Sequence, residues 1–377
     1  MKIAITHPFC WPWVRRGAER FMSELGCFLA ARGHEVVTIS SKPGRGCIEE
    51  TPDGVRILHR QWWTPAMAHL RLQPAHGFLP PCYRSIRRLR PDVVQSLYYV
   101  DAWASERAGR GHKTVYYVTG PPVPALQRRM PPDRWLLREA IEGADQILVP
   151  SQYIRLLVQE YYGRDAKILP VPIHVESFSQ PKGWPGSRPI ILAVAAFDER
   201  RKGLRVLVRA FARLHCRMRG ALLQISGQVS DNLRREVLAD LPPAVRDSVE
   251  FLGVGRQEDL PDLYSKASIT VVPAMWESYG LVILESWAAG TPVLAANHGG
   301  LPEMVTDPAI GVLFDPGTDP YEPNGDEALA AGMEAALELA ARKGTEESCR
   351  LRAAQFSWAN LGSSFERFYL DLICGAK

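Results

Sequence analysis

The chain has 377 residues, 46% of them hydrophobic, and a formal net charge of +4. At about 100–200 residues per compact unit, this length predicts two domains, each large enough to bury a core. The small charge gives no argument for a nucleic-acid partner, no apolar run approaches the ~18–20 residues that span a bilayer, and seven scattered cysteines without a CxxC pair speak against a disulfide framework or a zinc site.

A strand-like run, Lys2 to Thr6, stands at the start with no cleavable signal before it, and with the cysteine pattern it sets the expectation of a reducing cytoplasm. A helix is predicted from about Ala18 to Arg32, because Phe21, Leu25, Phe28 and Leu29 share one stripe and Gly33 follows as a stop. Val36–Ile39, Val93–Val94, Val115–Val118 and Ile147–Val149 read as strands, and Ser151 as the cap of a helix through Tyr162. The Pro/Gly-containing stretch 177–189 reads as a linker.

A second series follows. Its predicted strands are Ile190–Ala195, Leu222–Ile225, Val249–Leu252, Ile269–Val272 and Pro292–Leu294, with a helix from about Gly203 to Cys216. Short apolar runs alternating with helix-period segments build parallel sheets covered by helices on both faces, so the expected class is α/β with two Rossmann-like domains. In such sheets ligands sit outside the carboxyl ends of the strands, and two facing domains would enclose a cleft.

The most informative residues follow the strand ending at Val272. A polar loop carries Glu277, Ser278 and Tyr279, Gly280 allows close backbone approach, and a helix opens at Leu281, whose first-turn N–H groups suit a diphosphate. Glu285 lies a little over one turn into that helix, and carboxylates accept hydrogen bonds from sugar hydroxyls. Taken alone, two such glutamates are as readily a solvated loop residue and a surface charge. Lys202 opens a predicted helix, a poor place for a cation unless an anion sits there.

The stretch from Glu277 to Glu285 resembles the Glu-x7-Glu signature of family 4 retaining glycosyltransferases, and the likeness runs on through His298-Gly299-Gly300-Leu301-Pro302-Glu303. Gly17-Ala18-Glu19-Arg20, Val149-Pro150-Ser151, Arg201-Lys202-Gly203-Leu204, Phe251-Leu252-Gly253, Gly311–Phe314 and Phe356-Ser357-Trp358 also resemble family segments, which together cover nearly the whole chain. The resemblance implies a GT-B fold. Its domains would be 1–172, with the C-terminal helix 360–377 crossing back, and 173–359 for the donor. It implies Lys202 and Glu277 as catalytic residues, Glu285 on the ribose, and the amides of Gly280 and Leu281 on the diphosphate. Arg16, Gly17, Arg201, Gly253, Ser278 and Tyr279 complete the expected donor set. Trp11, Trp13 and Thr119 are acceptor candidates, and neither a metal nor a cofactor is expected.

Four positions depart from the family pattern. Ala195-Ala196 stands where the family has Gly-Arg, Arg16-Gly17 where it has two glycines, Thr119 where it has histidine, and Pro172-Ile173-His174 where it has Gly-x-Asp. Arg16, Arg200 and Arg201 are candidates to replace the lost cation, or ordinary surface charges. Trp62, Trp63, Met67, Leu70, Phe78 and Leu79 with Arg84, Arg87, Arg88 and Arg90 read either as a peripheral membrane surface or as a solvated basic face. The expected activity is retaining transfer of a hexose-type sugar from a UDP- or GDP-linked donor to a glycan, lipid-linked or small-molecule acceptor. The alternatives are a degenerate GT-B scaffold and a nucleotide-sugar epimerase or hydrolase.

Overall fold

The computed structural model describes residues 1–42, 46–51, 54–61, 74–109, 111–124, 131–182, 188–319 and 322–375. Trp62, Trp63, Met67, Leu70 and linker positions 183–187 lie outside the described residues. The chain divides into two units, Met1–Pro172 with Leu361–Lys377, and Ile173–Asn360.

The first unit contains β1 (Lys2–Thr6), α1 (Gly17–Ala31), β2 (Glu35–Lys42), β3 (Cys47–Glu50), β4 (Arg56–Gln61), α2 (Leu79–Leu89), β5 (Val93–Ser96), α3 (Tyr99–Arg107), β6 (Lys113–Tyr117), α4 (Pro131–Gly143), β7 (Gln146–Val149), α5 (Gln152–Tyr162) and β8 (Lys167–Ile168). Its strands lie in the order β3-β4-β2-β1-β5-β6-β7-β8 and are parallel except for the β3–β4 pair. The inner strands are buried along almost their whole length, apolar residues interspersed with buried Thr, Ser and Gln, as expected where helices cover both faces. Ile3, Ile5, Val93 and Val94 are fully buried. Ser151 Oγ caps α5 by accepting from Ile154 N at 3.3 Å.

In the second unit come β9 (Ile190–Val194), α6 (Leu204–Arg217), β10 (Leu222–Ser226), α7 (Asp231–Ala239), α8 (Pro243–Arg246), β11 (Val249–Gly253), α9 (Leu260–Lys266), β12 (Ile269–Val272), α10 (Leu281–Ala288), β13 (Val293–Ala296), α11 (Leu301–Met304), β14 (Gly311–Phe314), α12 (Asp326–Ala340) and α13 (Thr345–Ala354). The strand order is β11-β10-β9-β12-β13-β14, all parallel. Leu204, Leu207, Val208, Phe211 and Leu214 of α6 are buried, and burial of such a side chain contributes about 1.5–3 kcal/mol.

The final helix, α14 (Trp358–Cys374), belongs to the first unit from Leu361 onward. There the Phe365 ring lies 5.5 Å from that of Phe21, Tyr369 Oη donates to Gln95 Oε1 at 2.8 Å, and Glu366 pairs with Arg32 at 2.9 Å. Just before it, Ile173 N donates to Phe356 O and Trp358 N to Ile173 O, at 2.9 and 3.3 Å. One β-bridge, Ile173 with Ser357, thus ties the start of the second unit to its end.

Candidate functional site

In the second unit, β9 has β10 on one side and β12 on the other, so the strand order reverses between β9 and β12. Loops leaving the carboxyl ends at such a reversal flank the ligand crevice of doubly wound sheets. The loop after β9 carries a 3-10 turn, Arg200–Lys202, and the loop after β12 carries Glu277. Lys202 therefore closes a turn rather than opening a helix, and Gly203 separates it from α6. The two loops are sewn together by Met275 N donating to Arg201 O at 2.8 Å.

Their side chains meet as well. Lys202 Nζ lies 2.6 Å from Glu277 Oε2, Arg201 Nη1 lies 3.6 Å from the same oxygen, and Arg201 Nη2 is 2.7 Å from Glu199. Burial pushes the Glu277 carboxyl up, but the Lys202 and Arg201 charges with their hydrogen bonds outweigh it and hold the group below the usual carboxylate range. The anion that makes Lys202 tolerable at this place is thus Glu277. Arg200 is occupied elsewhere, donating through Nε and Nη2 to Glu322 Oε2 at 2.8 and 2.6 Å.

A third segment, His298 to Gly300, grips the Glu277 loop. Gly300 N donates to Glu277 O at 2.8 Å, and Trp276 N donates to His298 Nδ1 at 3.1 Å. Trp276 has φ +57°, a sparsely populated conformation for a bulky residue, and its ring meets that of His298 edge-on at 5.1 Å. Gly299, at φ +69°, approaches so closely that a Cβ there would stand 2.5 Å from Glu277 O. Burial lowers the pKa of His298.

Beyond Glu277 the chain reaches Gly280, whose φ of +99° forms the N-cap of α10, and a Cβ there would stand 2.9 Å from Leu301 Cδ2. Its glycine is thus required by the turn and its packing, before any ligand is considered. Ser278 and Tyr279 are buried, and Tyr279 Oη has no hydrogen-bond partner among the described residues. Glu285, 5% exposed, does not join the Lys202 cluster but accepts from Tyr264 Oη at 2.7 Å. Gly253 ends β11, exposed, and its carbonyl accepts from Gly227 N at 2.8 Å. Sequence reasoning missed Tyr264, Trp276 and Glu322, and met His298 only as part of a resemblance. These residues act through partners distant in the chain, which no local spacing announces.

In the first unit the reversal lies between β1 and β5. Beside it His7 is buried with Glu19 Oε1 3.9 Å away, and burial lowers the pKa of His7. Asp101 Oδ2 accepts from Thr6 Oγ1 at 2.7 Å and Leu97 N at 3.1 Å, yet burial still pushes its carboxyl up to about 7. His76 Nε2 and Asp133 Oδ1 stand 2.6 Å apart, both buried. Of the expected residues here, Arg16 and Gly17 are exposed at the start of α1, Trp13 is exposed, Trp11 is half-buried, and Thr119 Oγ1 donates to Leu97 O at 3.3 Å. Among the described residues no helix is long and apolar enough to cross a membrane.

Residues 174–352 match the family described as Glycosyl transferases group 1, and residues 15–176 match Glycosyltransferase Family 4. The glycogen synthase of Mycobacterium tuberculosis (strain ATCC 25618 / H37Rv) is 26% identical over 400 residues, covering 95% of this chain and 92% of the relative. The D-inositol 3-phosphate glycosyltransferase of Nocardiopsis dassonvillei is 35% identical over 284 residues, 70% of this chain and 60% of the relative. Among solved structures, the sucrose-phosphate synthase of Thermosynechococcus elongatus superposes with a TM-score of 0.80 at 22% identity over 99% of both chains. Anabaena HepE in complex with UDP-glucose gives 0.71 at 17% identity, covering 98% of this chain and 99% of that one. With two matches that run from residue 15 to residue 352 and a doubly wound sheet in each unit, the chain belongs to the family 4 glycosyltransferases and has the GT-B fold.

Proposed function

We propose that this glycosyltransferase moves a hexose-type sugar, with retention and without a metal, from a UDP- or GDP-linked donor to a glycan, lipid-linked or small-molecule acceptor. The observation that carries the reading is the cluster of Lys202, Arg201 and Glu277 at the strand reversal, beside the N-terminus of α10. On donor binding the two cations and the first-turn amides of α10 would face the diphosphate, stabilising the negative charge that grows as the glycosidic bond breaks. Glu277 would exchange Lys202 for a hydroxyl of the sugar, and Glu285, oriented by Tyr264, would accept from the ribose. Arg201 serves as the local substitute for the arginine missing at Ala196. A donor phosphate oxygen would take the acceptor proton, so no side chain has to be a strong base and no cofactor is needed.

The relatives support this reading in kind. HepE binds UDP-glucose, and the named relatives are a glycogen synthase and an inositol-phosphate glycosyltransferase, which span glycan and small-molecule acceptors. For the lipid-linked alternative, α2 and its C-cap turn Arg84, Arg87, Arg88 and Arg90 outward with no acidic residue on the helix, a face suited to peripheral contact with an anionic membrane on the cytoplasmic side. Titration with UDP and GDP, with and without EDTA, followed by product analysis on a nucleotide-sugar panel, tests the proposal. Binding that vanishes with EDTA refutes the metal-free reading. Free or epimerised sugar without an acceptor adduct would make the chain a hydrolase or epimerase, and no product at all a scaffold.

A further inference from the structure

Four backbone polar groups from Met275 to Glu277 find their partners on other loops. Met275 N is held by Arg201 O, Trp276 O by Arg201 Nη1 at 3.5 Å, Glu277 O by Gly300 N, and Trp276 N by the imidazole of His298. The last differs in kind from the rest. The other three partners are fixed in charge, whereas an imidazole can gain a proton. An amide N–H can only donate, so His298 Nδ1 must be a bare acceptor and the neutral ring must carry its hydrogen on Nε2. A second proton on Nδ1 would turn that acceptor into a donor facing a donor. It would also leave the amide of a residue already strained at φ +57° without its partner.

We infer that His298 is a positioning residue: in its neutral form it holds Trp276 in the left-handed conformation that aims the following Glu277 at Lys202. The geometry stands by itself, and only its consequence for turnover rests on the function proposed above. Burial, which disfavours the charged imidazolium, keeps the ring neutral to lower pH than an exposed histidine. Charged side chains on the neighbouring segments are Glu277 with its Lys202 and Arg201 partners, Glu303 on α11, and Asp315, which follows the β14 residue Phe314 whose carbonyl accepts from Asn297 N. Because the pKa of His298 is lowered, its neutral contact is fully present above the unfolded value of 6.5. It is lost as pH falls through the folded value.

The test compares wild type with His298→Asn, whose amide oxygen can stand where Nδ1 stands and does not titrate, and with His298→Phe, which keeps a ring but no acceptor. Turnover, donor KM and nucleotide Kd are measured from pH 5 to 8.5, and the 15N shifts of the wild-type His298 ring report its tautomer directly. At pH 8 the Asn variant should keep kcat within about 3-fold, whereas Phe should lower kcat by about 10-fold or more with nucleotide Kd changed by less than about 3-fold. The fall in wild-type kcat on the acid side should be shallower in Asn. The ring should titrate as a neutral Nε2–H tautomer. Equal losses in both variants, superimposable acid limbs in wild type and Asn, or a ring protonated on Nδ1 at pH 8 would overturn the assignment. A wild-type protein that shows the expected tautomer but no transfer with any donor would refute the proposed activity while upholding the clamp.

Discussion

Glu277→Gln should make the protein bind nucleoside diphosphate more tightly and turn over more slowly. The carboxylate occupies Lys202 at 2.6 Å and stands 3.6 Å from Arg201, so on the proposed roles an incoming diphosphate would displace it. At an effective dielectric of about 20 the closer contact is worth about 6 kcal/mol gross. Most of that is cancelled by desolvation and by hydrogen bonds given up to water, leaving a net of about 1–2 kcal/mol for a half-buried pair. Glutamine keeps the shape and removes the competing charge, so the Kd for UDP or GDP, whichever binds, should fall about 5–30-fold at one tenfold step per 1.4 kcal/mol. On the same proposed roles the change would weaken the contact to the reacting sugar, and kcat should fall about 100-fold or more. Isothermal titration and initial rates on the same preparation read both numbers. An affinity that stays level or weakens would show that Lys202 is not held in reserve by Glu277, and the cluster would then be a structural ion pair.

Both Glu285→Ala and Tyr264→Phe should weaken nucleotide binding, by about 1.5–3 kcal/mol for the lost charged hydrogen bond and less for the lost orientation, as titration will read. Arg201→Ala should cost more turnover than Arg200→Ala, because Arg201 stands by Glu277 while Arg200 is spent on Glu322; rates for the two variants, with Arg16→Gly beside them, decide which arginine replaces the one lost at Ala196. With its pKa raised to about 7, Asp101 binds a proton more readily in the folded than in the unfolded chain, so its contribution is present at acid pH and is lost as pH rises through 7. Asp101→Asn should therefore raise the thermal midpoint at pH 8 relative to wild type, by at most about 4 kcal/mol in stability, and change it little at pH 4, as scanning calorimetry at the two values will measure.

Strands such as β1, β9 and β12 were legible because burial on both faces leaves uninterrupted apolar runs in the sequence. The α6 stripe was legible to within one residue at each end, expected at Gly203–Cys216 and found at Leu204–Arg217. β3 was not, because Glu49 and Glu50 are exposed on an antiparallel edge and carry no apolar pattern. The arginines of α2 likewise hid a stripe as narrow as Cys82 and Ile86. At the candidate site the charged residues were legible from their types and from the family signature. The groups that orient them were not, since Trp276 meets His298 22 residues away and Tyr264 meets Glu285 21 residues away. The first pairing follows from the adjacent strands β12 and β13, the second from the packing of α9 and α10 on either side of β12 in sequence, and neither arrangement is written in any local window.

The bridge between Ile173 and Ser357 gives the second unit an unusual standing in the chain's topology. It is an insert whose entry and exit segments are tied to each other by hydrogen bonds, so residues 173–357 form a closed loop seen from either side of the joint. The entropy of closing that loop is met within the insert, and the first unit can receive α14 without waiting on a long, open excursion of chain. Expressed alone from Ile173 to Asn360, the insert would bring its own two ends together, while the flanking pieces, spliced across the gap, would keep every strand of their sheet and the returning helix from Leu361 onward.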